Sequence, residues 1–365
     1  MLTARLILLS CLFFASSGKA ATASMACLAD LEAMPAFLLE NDTGAKDELA
    51  QFGQAHFDDA LAKARPAAVA ATAETCNEVL NAYLKSWRAG HLWVTGGPPP
   101  AAGNEGGVSP AARTPSVTLL SDKTALLTIP SFAGYLREPL AALLRQNEKA
   151  LASRPDWIID VRDNDGGDDT TYGPLLPWLL PDETEQVGAE WLATPANIEG
   201  QQKICALVEP GNKDCEAFMA EAVKRMRSVE PGSYVSQQDA PAITYQRQDP
   251  LEPRRPKRVA VLVGHGCGSA CEQFLLTVRQ SFTVKLLGRR SHGSLDYSNM
   301  RPHQLPSGQR LLWYATSRSS RLPGLPVDVA GIPPDIYFPE PADEAAAREE
   351  VSRTQHWLES GSFSR

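Results

Sequence analysis

The sequence has no uninterrupted run of the roughly 18–20 apolar residues that a membrane-spanning helix needs. It also lacks an excess of positive charge: 35 Lys and Arg stand against 43 Asp and Glu, a formal net charge of −8. An acidic chain without a basic block argues against nucleic acid or an anionic membrane as a partner. Histidine is scarce, six in all, and no His and Cys cluster falls at zinc-finger spacing, so neither a metal nor an organic cofactor is implied. Internal repeats are absent. The composition of a disordered chain is absent too, because 43% of the residues are hydrophobic and only 21% charged. At 365 residues, about two domains of ~150 residues each can be accommodated.

What is present begins with a segment unlike the rest. Arg5 precedes the apolar run Leu6-Ile7-Leu8-Leu9-Ser10-Cys11-Leu12-Phe13-Phe14-Ala15, and Ala21-Thr22-Ala23 offers a small-x-small cleavage site. Residues 1–23 read as a secretory signal peptide whose apolar run is too short to span a bilayer. A periplasmic or secreted protein follows, with no membrane span in the mature chain. Removal of Cys11 with the signal leaves six cysteines, Cys27, Cys76, Cys205, Cys215, Cys267 and Cys271. An even number in an oxidising compartment predicts disulfides. Six cysteines permit many pairings, and neighbourhood favours Cys27–Cys76, Cys205–Cys215 and Cys267–Cys271.

Residues 24–95 read as a helical N-terminal region. Val79, Leu80, Tyr83, Leu84 and Trp87 make an apolar stripe at helical spacing over 74–89, and Gly90 suits its end. A short strand is expected at 91–94. Residues 96–115 hold five Gly and five Pro, the signature of a linker or exposed loop. From 116 to 340 strands alternate with helices, which predicts an α/β core. Its strands include 116–120, 124–129, 157–161, 259–263 and 284–288, and a helix is expected over 138–153. Residues 181–256 show weak periodicity and read as an insertion, and 341–365 as a C-terminal tail.

Two glycine-rich turns end apolar strands. In Gly264-His265-Gly266-Cys267-Gly268-Ser269-Ala270-Cys271-Glu272 the serine sits where a helix starts. Unpaired N–H groups and the helix dipole at that point stabilise a developing oxyanion. The plain alternative is that Ser269 only caps the helix, a common role for serine. Gly268 directly precedes the serine, so the segment is not a GxSxG elbow. The second turn, Gly166-Gly167, follows Asp163-Asn164-Asp165; its acids suggest calcium, but Gly167 breaks the EF-hand spacing.

Three segments in order resemble the tail-specific, or C-terminal processing, serine proteases and their tricorn-type relatives without a PDZ module. Asp160-Val161-Arg162-Asp163-Asn164-Asp165-Gly166-Gly167 resembles the strand-turn DLRxNxGG. Ser269-Ala270-Cys271-Glu272 resembles the SAxE nucleophile motif, and Gly331-Ile332-Pro333-Pro334-Asp335 the closing GxxPD. The resemblance covers about residues 116–338. It implies a crotonase/ClpP-like core of stacked β-β-α units. It also implies Ser269 as nucleophile, Glu272 as a supporting residue, and an oxyanion hole from the amides of Ala270 and Gly166 or Gly167.

The departures from that family decide the expected base. Where processing proteases carry a lysine, the segment Gly288-Arg289-Arg290-Ser291-His292-Gly293-Ser294 has Ser294. No amine can act there, so a serine–lysine dyad is not expected. A PDZ module has no room between His91 and Ser116. Tricorn-type members use histidine and an acid, and their histidine follows an upstream helix. The resemblance therefore implies His91 as base, with Asp328, just ahead of the closing motif, to orient it. Histidine suits the task because its ordinary pKa lies near neutrality. His292 is a rival base, and His265 a remoter one. The reading is a serine peptidase acting on peptide or protein substrates through a Ser-His-Asp-like site. The alternative is a catalytically inactive ligand- or peptide-binding member of the same fold, and an esterase with the same triad is a third.

Overall fold

The computed structural model describes residues 14–96, 114–181, 183–238, 240–247 and 256–363. Four helices come first: α1 (Phe14–Asn41), α2 (Ala45–Phe52), α3 (Gln54–Ala70) and α4 (Cys76–Leu84). Along α1, Cys27, Leu31, Met34 and Leu38 recur at helical spacing and are fully buried. The Cys27–Cys76 disulfide staples α1 to α4. The helix expected over 74–89 stops at Leu84, and its last stripe residue, Trp87, is still buried from the turn that follows. Strand β1 (Trp93–Gly96) starts two residues later than expected, which leaves His91 in a bend rather than in a strand.

Further along come β2 (Ser116–Leu119), β3 (Thr124–Thr128), α5 (Arg137–Ala152), β4 (Asp156–Asp160) and α6 (Leu176–Leu179). The segment 181–256 contributes β5 (Glu183–Val187), β6 (Ala189–Leu192), α7 (Pro195–Val208), α8 (Lys213–Met226), β7 (Tyr234–Ser236) and β8 (Ile243–Arg247). The core then resumes with β9 (Arg258–Val263), α9 (Ala270–Val278), β10 (Val284–Gly288), β11 (Tyr297–Gln304), β12 (Arg310–Ser319) and β13 (Ile336–Tyr337). The segment read as a tail forms α10 (Glu344–Ser360).

These elements make a mixed α/β protein with two main sheets. The larger has the order β13-β10-β9-β4-β3-β2, parallel throughout except for the β2–β3 hairpin. Alternate residues of its central strands face opposite sides. Trp157, Ile159, Val161, Val259, Val261 and Val263 pack with Leu140 and Leu144 of α5 and Phe274 and Leu275 of α9. Ile158, Ala260 and Leu262 pack on the other side with Leu358 of α10. Burial on both faces is why these strands read as unbroken apolar runs.

The second sheet is antiparallel, with β1-β12-β6-β7 in order and β11 paired to β12. Leu312 and Tyr314 of β12 complete the core of the N-terminal helices. The 181–256 segment is thus part of this sheet through β6 and β7, and its helices α7 and α8 are joined by Cys205–Cys215. Of the expected signal peptide, residues 1–13 lie outside the described residues, as do 97–113 of the expected linker. No helix among the described residues is long and apolar enough to cross a membrane.

Candidate active site

Strands β4, β9 and β10 are neighbours and parallel, so the loops leaving their C-terminal ends converge. That edge of an open parallel sheet is where ligands collect. Ser269 lies at the end of the β9 loop as the N-cap of α9, half-buried, at φ 55° and ψ −120°. A residue with a side chain rarely adopts this backbone and keeps it only where its surroundings enforce it. The β4 loop presses directly on it. A Cβ at Gly166 would lie 2.9 Å from Ser269 Cβ and 2.6 Å from the Gly268 carbonyl oxygen, so glycine is the residue that fits.

The three amides expected to form an oxyanion hole divide. Gly166 N–H is occupied, donating to Asn164 Oδ1 at 3.0 Å. Gly167 forms a parallel bridge with Phe132, made by the flanking groups: Phe132 N–H donates to Gly166 O, and Asp168 N–H to Phe132 O, each at 2.8 Å. Its own N–H therefore points away from Phe132. Among the described residues neither this amide nor that of Ala270, the first of α9, has a hydrogen-bond partner. These two can serve an oxyanion; Gly166 instead shapes the turn. Buried Asn164 organises the arrangement. Its Nδ2 donates to Ile129 O at 3.0 Å, and its carbonyl accepts Gly268 N–H at 3.2 Å. It was legible only as a letter of the strand-turn motif.

Glu272 is fully buried on the first turn of α9. Its carboxylate accepts the Ser269 N–H at 3.1 Å, Ser294 N–H at 2.8 Å, Gly293 N–H at 2.7 Å and Ser291 Oγ–H at 2.5 Å. Glu272 therefore ties the serine to the β10 loop and positions it without reaching a substrate. The site expected for a lysine is filled by buried Ser294, whose Oγ would be 3.0 Å from a Cβ at Gly268. A Cβ at Gly90 would lie 3.0 Å from Ser294 Cβ. One serine thus separates the residue preceding His91 from the residue preceding Ser269.

His91 is half-buried, and its Nδ1 donates to the backbone carbonyl of Tyr297 at 2.6 Å. A carbonyl can only accept, so this bond fixes the tautomer and leaves Nε2 as the proton acceptor. Burial pushes the His91 pKa down to about 4; the Tyr297 bond opposes this, and the charges of Arg88 and His292 add to it. Arg88 supports the seat. It is buried, paired with Asp42, and donates from Nη2 to His91 O at 3.0 Å. The chain shows Arg88 two residues before Gly90, but nothing in it points to Asp42 as partner.

Asp328 is placed elsewhere than on the imidazole. Its Oδ1 accepts the N–H groups of Leu295 at 2.5 Å and Asp296 at 2.7 Å. Asp296 returns the contact, its Oδ2 accepting Val327 and Asp328 N–H. Burial, together with the nearby Asp296 charge, raises the Asp328 pKa to about 7, against the pull of its two amide bonds and Arg88. The group orienting His91 is thus the Tyr297 carbonyl. Asp328 acts one step behind, bracing the two residues that lead into Tyr297. His292 is exposed, with Nδ1 at 3.1 Å from Ser294 Oγ, and His265 is exposed as well.

The sequence pattern of peptidase family S41 matches residues 123–338. No curated protein matches the chain. Among solved structures, a candidate peptidase of Parabacteroides merdae ATCC 43184 is similar, with a TM-score of 0.55 and 14% identity over 94% of this chain and 99% of that one. Mature CPAF in complex with lactacystin gives 0.45 at 14% identity, over 66% of this chain and 52% of its own. The photosystem II D1 C-terminal processing protease gives 0.36 at 15% identity, over 62% and 46%. The family pattern spans more than half of the sequence and includes both glycine turns, Ser269, Ser294 and Asp328. The chain belongs to peptidase family S41 and is a serine-type peptidase.

Proposed function

We propose that the protein is a periplasmic or secreted peptidase that cleaves peptide bonds with Ser269 as nucleophile and His91 as general base. The observation that carries this reading is the orientation of the two partly buried groups. Ser269 stands at a helix N-terminus beside two amides that have no partner among the described residues, and the Tyr297 carbonyl takes Nδ1–H of His91 and so leaves its lone pair on Nε2. In the acylation step Ser269 Oγ adds to the substrate carbonyl as its proton passes to Nε2 of His91. The carbonyl oxygen becomes an oxyanion held by Ala270 and Gly167 N–H groups, aided by the dipole of α9. His91 then returns the proton to the leaving amine, and water repeats the sequence on the acyl-enzyme.

The alternative of an inactive ligand- or peptide-binding member rests on the missing lysine and on the crowding of Cys267 and Cys271 around Ser269. His91 as base would answer the first of these grounds. The parallel sheet with its α9 and α5 layers is the reason to place the core in the crotonase/ClpP group, and the stretch between His91 and Ser116, too short for a PDZ module, favours the tricorn-type branch. Periplasmic or secreted location rests on the signal-like residues 1–23 and is supported by three disulfides among the described residues. The test is active-site labelling. The oxidised protein treated with a fluorophosphonate should gain one adduct, mapped by peptide mass to Ser269; no labelling together with no cleavage of a peptide library would favour the inactive ligand- or peptide-binding reading.

A further inference from the structure

The disulfide between Cys267 and Cys271 encloses Ser269, and its position fits poorly with a role in global stability. A cross-link stabilises a fold chiefly by restricting the unfolded chain, and more so for longer loops. Cys27–Cys76 closes a separation of 49 residues and Cys205–Cys215 one of 10, whereas Cys267–Cys271 spans only 4. It has the least to offer the whole fold and the most to offer the residue at its centre.

That residue needs help. Ser269 holds φ 55°, which a side chain disfavours. The two free amides that suit an oxyanion cannot also brace the turn, because bonding them internally would fill the hole. On the strand side the braces are Cys267 N–H to Gly264 O and Gly268 N–H to Asn164 O; on the helix side Ser269 N–H donates to Glu272, and Gly268 O and Ser269 O accept the N–H groups of Cys271, Glu272 and Gln273 in the first turn of α9. The disulfide spans the kink they leave, joining the strand side of the serine to the helix side. It also reaches the base side of the cleft, since Cys267 O accepts His292 N–H at 2.8 Å in the loop that carries Ser294.

Resting on the assignment of Ser269 as nucleophile, we infer that Cys267 and Cys271 are positioning residues whose bond holds Ser269 in its reactive conformation, so that full peptidase activity requires this one disulfide. Both sulfurs are fully buried against the core under α9. The bond is therefore set when the chain folds in an oxidising environment, and a folded chain made under reducing conditions has a slack nucleophile.

The test compares the full-length Cys267→Ala/Cys271→Ala protein with Cys205→Ala/Cys215→Ala, both confirmed folded by circular dichroism and thermal unfolding. The first should lose about 10- to 100-fold in kcat and in the fluorophosphonate labelling rate, with KM moving much less, as expected for a reacting atom displaced by ~1 Å. The second should stay close to wild type. A folded Cys267→Ala/Cys271→Ala protein with wild-type kcat and labelling rate overturns the inference. If that variant does not fold, the wild type is titrated with a phosphine, which takes the oxygen of water as it converts the disulfide to two thiols, and the freed cysteines are alkylated and mapped. Activity that falls with the opening of Cys267–Cys271 supports the inference; activity that persists after it opens, or falls with another bond first, overturns it. Wild-type oxidised protein that never labels refutes the nucleophile assignment instead, a result distinct from these.

Discussion

The two groups proposed to react, Ser269 and His91, are held by different means. The nucleophile stands on backbone: parallel strand ends, two glycine turns, an asparagine and a glutamate that bond peptide groups, and a covalent strap. The proposed base is aimed by one backbone carbonyl, that of Tyr297, and seated on side chains from another core. His91 precedes β1 of the antiparallel sheet, and its seat is a buried Arg88–Asp42 pair between the ends of α4 and α1. Backbone-built geometry tolerates side-chain replacement poorly at the glycines that other backbone closely approaches. An ion-pair seat fails when either partner is removed, because the other is left charged and buried.

Removing the nucleophile should have the largest effect. Ser269→Ala is expected to lower kcat on the order of 10⁴–10⁶-fold, while a lost cap costs only about 1 kcal/mol in thermal unfolding. Unchanged turnover would end the assignment. On the base side, His91→Ala should cost about 10²–10⁴-fold, and His292→Ala, at an exposed position, should stay close to wild type. The active form of His91 is the neutral ring, so activity falls as pH drops through its pKa. With that pKa pushed down to about 4 by burial, the acid limb lies below the ordinary histidine value of about 6.5. A pH–rate profile of kcat/KM checks it; a limb at the ordinary value means an open, solvated ring.

The smallest expected effect separates the two ways of holding histidine. Both amide bonds of Asp328 end on Oδ1, which asparagine also offers. Asp328→Asn should therefore keep kcat within about threefold, whereas an acid that orients the imidazole directly loses about 10⁴-fold on this change. Stability should respond instead. A carboxyl whose pKa is raised to about 7 in the fold is fully accommodated below its ordinary value of about 3.9. The stability it leaves intact there is lost as pH climbs toward 7, because the folded chain then carries an unwelcome charge. Asp328→Asn should match wild type in melting temperature at pH 4 and exceed it at pH 8.

Ser269, the two glycine turns and the pairing of neighbouring cysteines were legible in the sequence, because each is written in adjacent residues. The seat of the base was not. The Tyr297 carbonyl is a backbone group that any residue would supply, and Asp42 lies far from Arg88 along the chain. Nor could the use of Gly166 N–H be read, since its partner Asn164 is one of several polar residues in the same turn. The last helix was missed for another physical reason. Besides Leu358, α10 buries Glu350 and Thr354, so the apolar stripe that marks a packed helix is interrupted. It docks by charge.

That docking sets an order of events during synthesis. Glu350 binds Arg162 at 2.7 Å and also binds Arg289, the residues that open the loops after β4 and β10. One carboxylate thus grips both flanks of β9 from behind the cleft. It belongs to the last described helix, so a ribosome adding about 5–20 residues per second has already released both sheets before the grip can close. Until then the loops after β4 and β10 lack the carboxylate that joins Arg162 to Arg289.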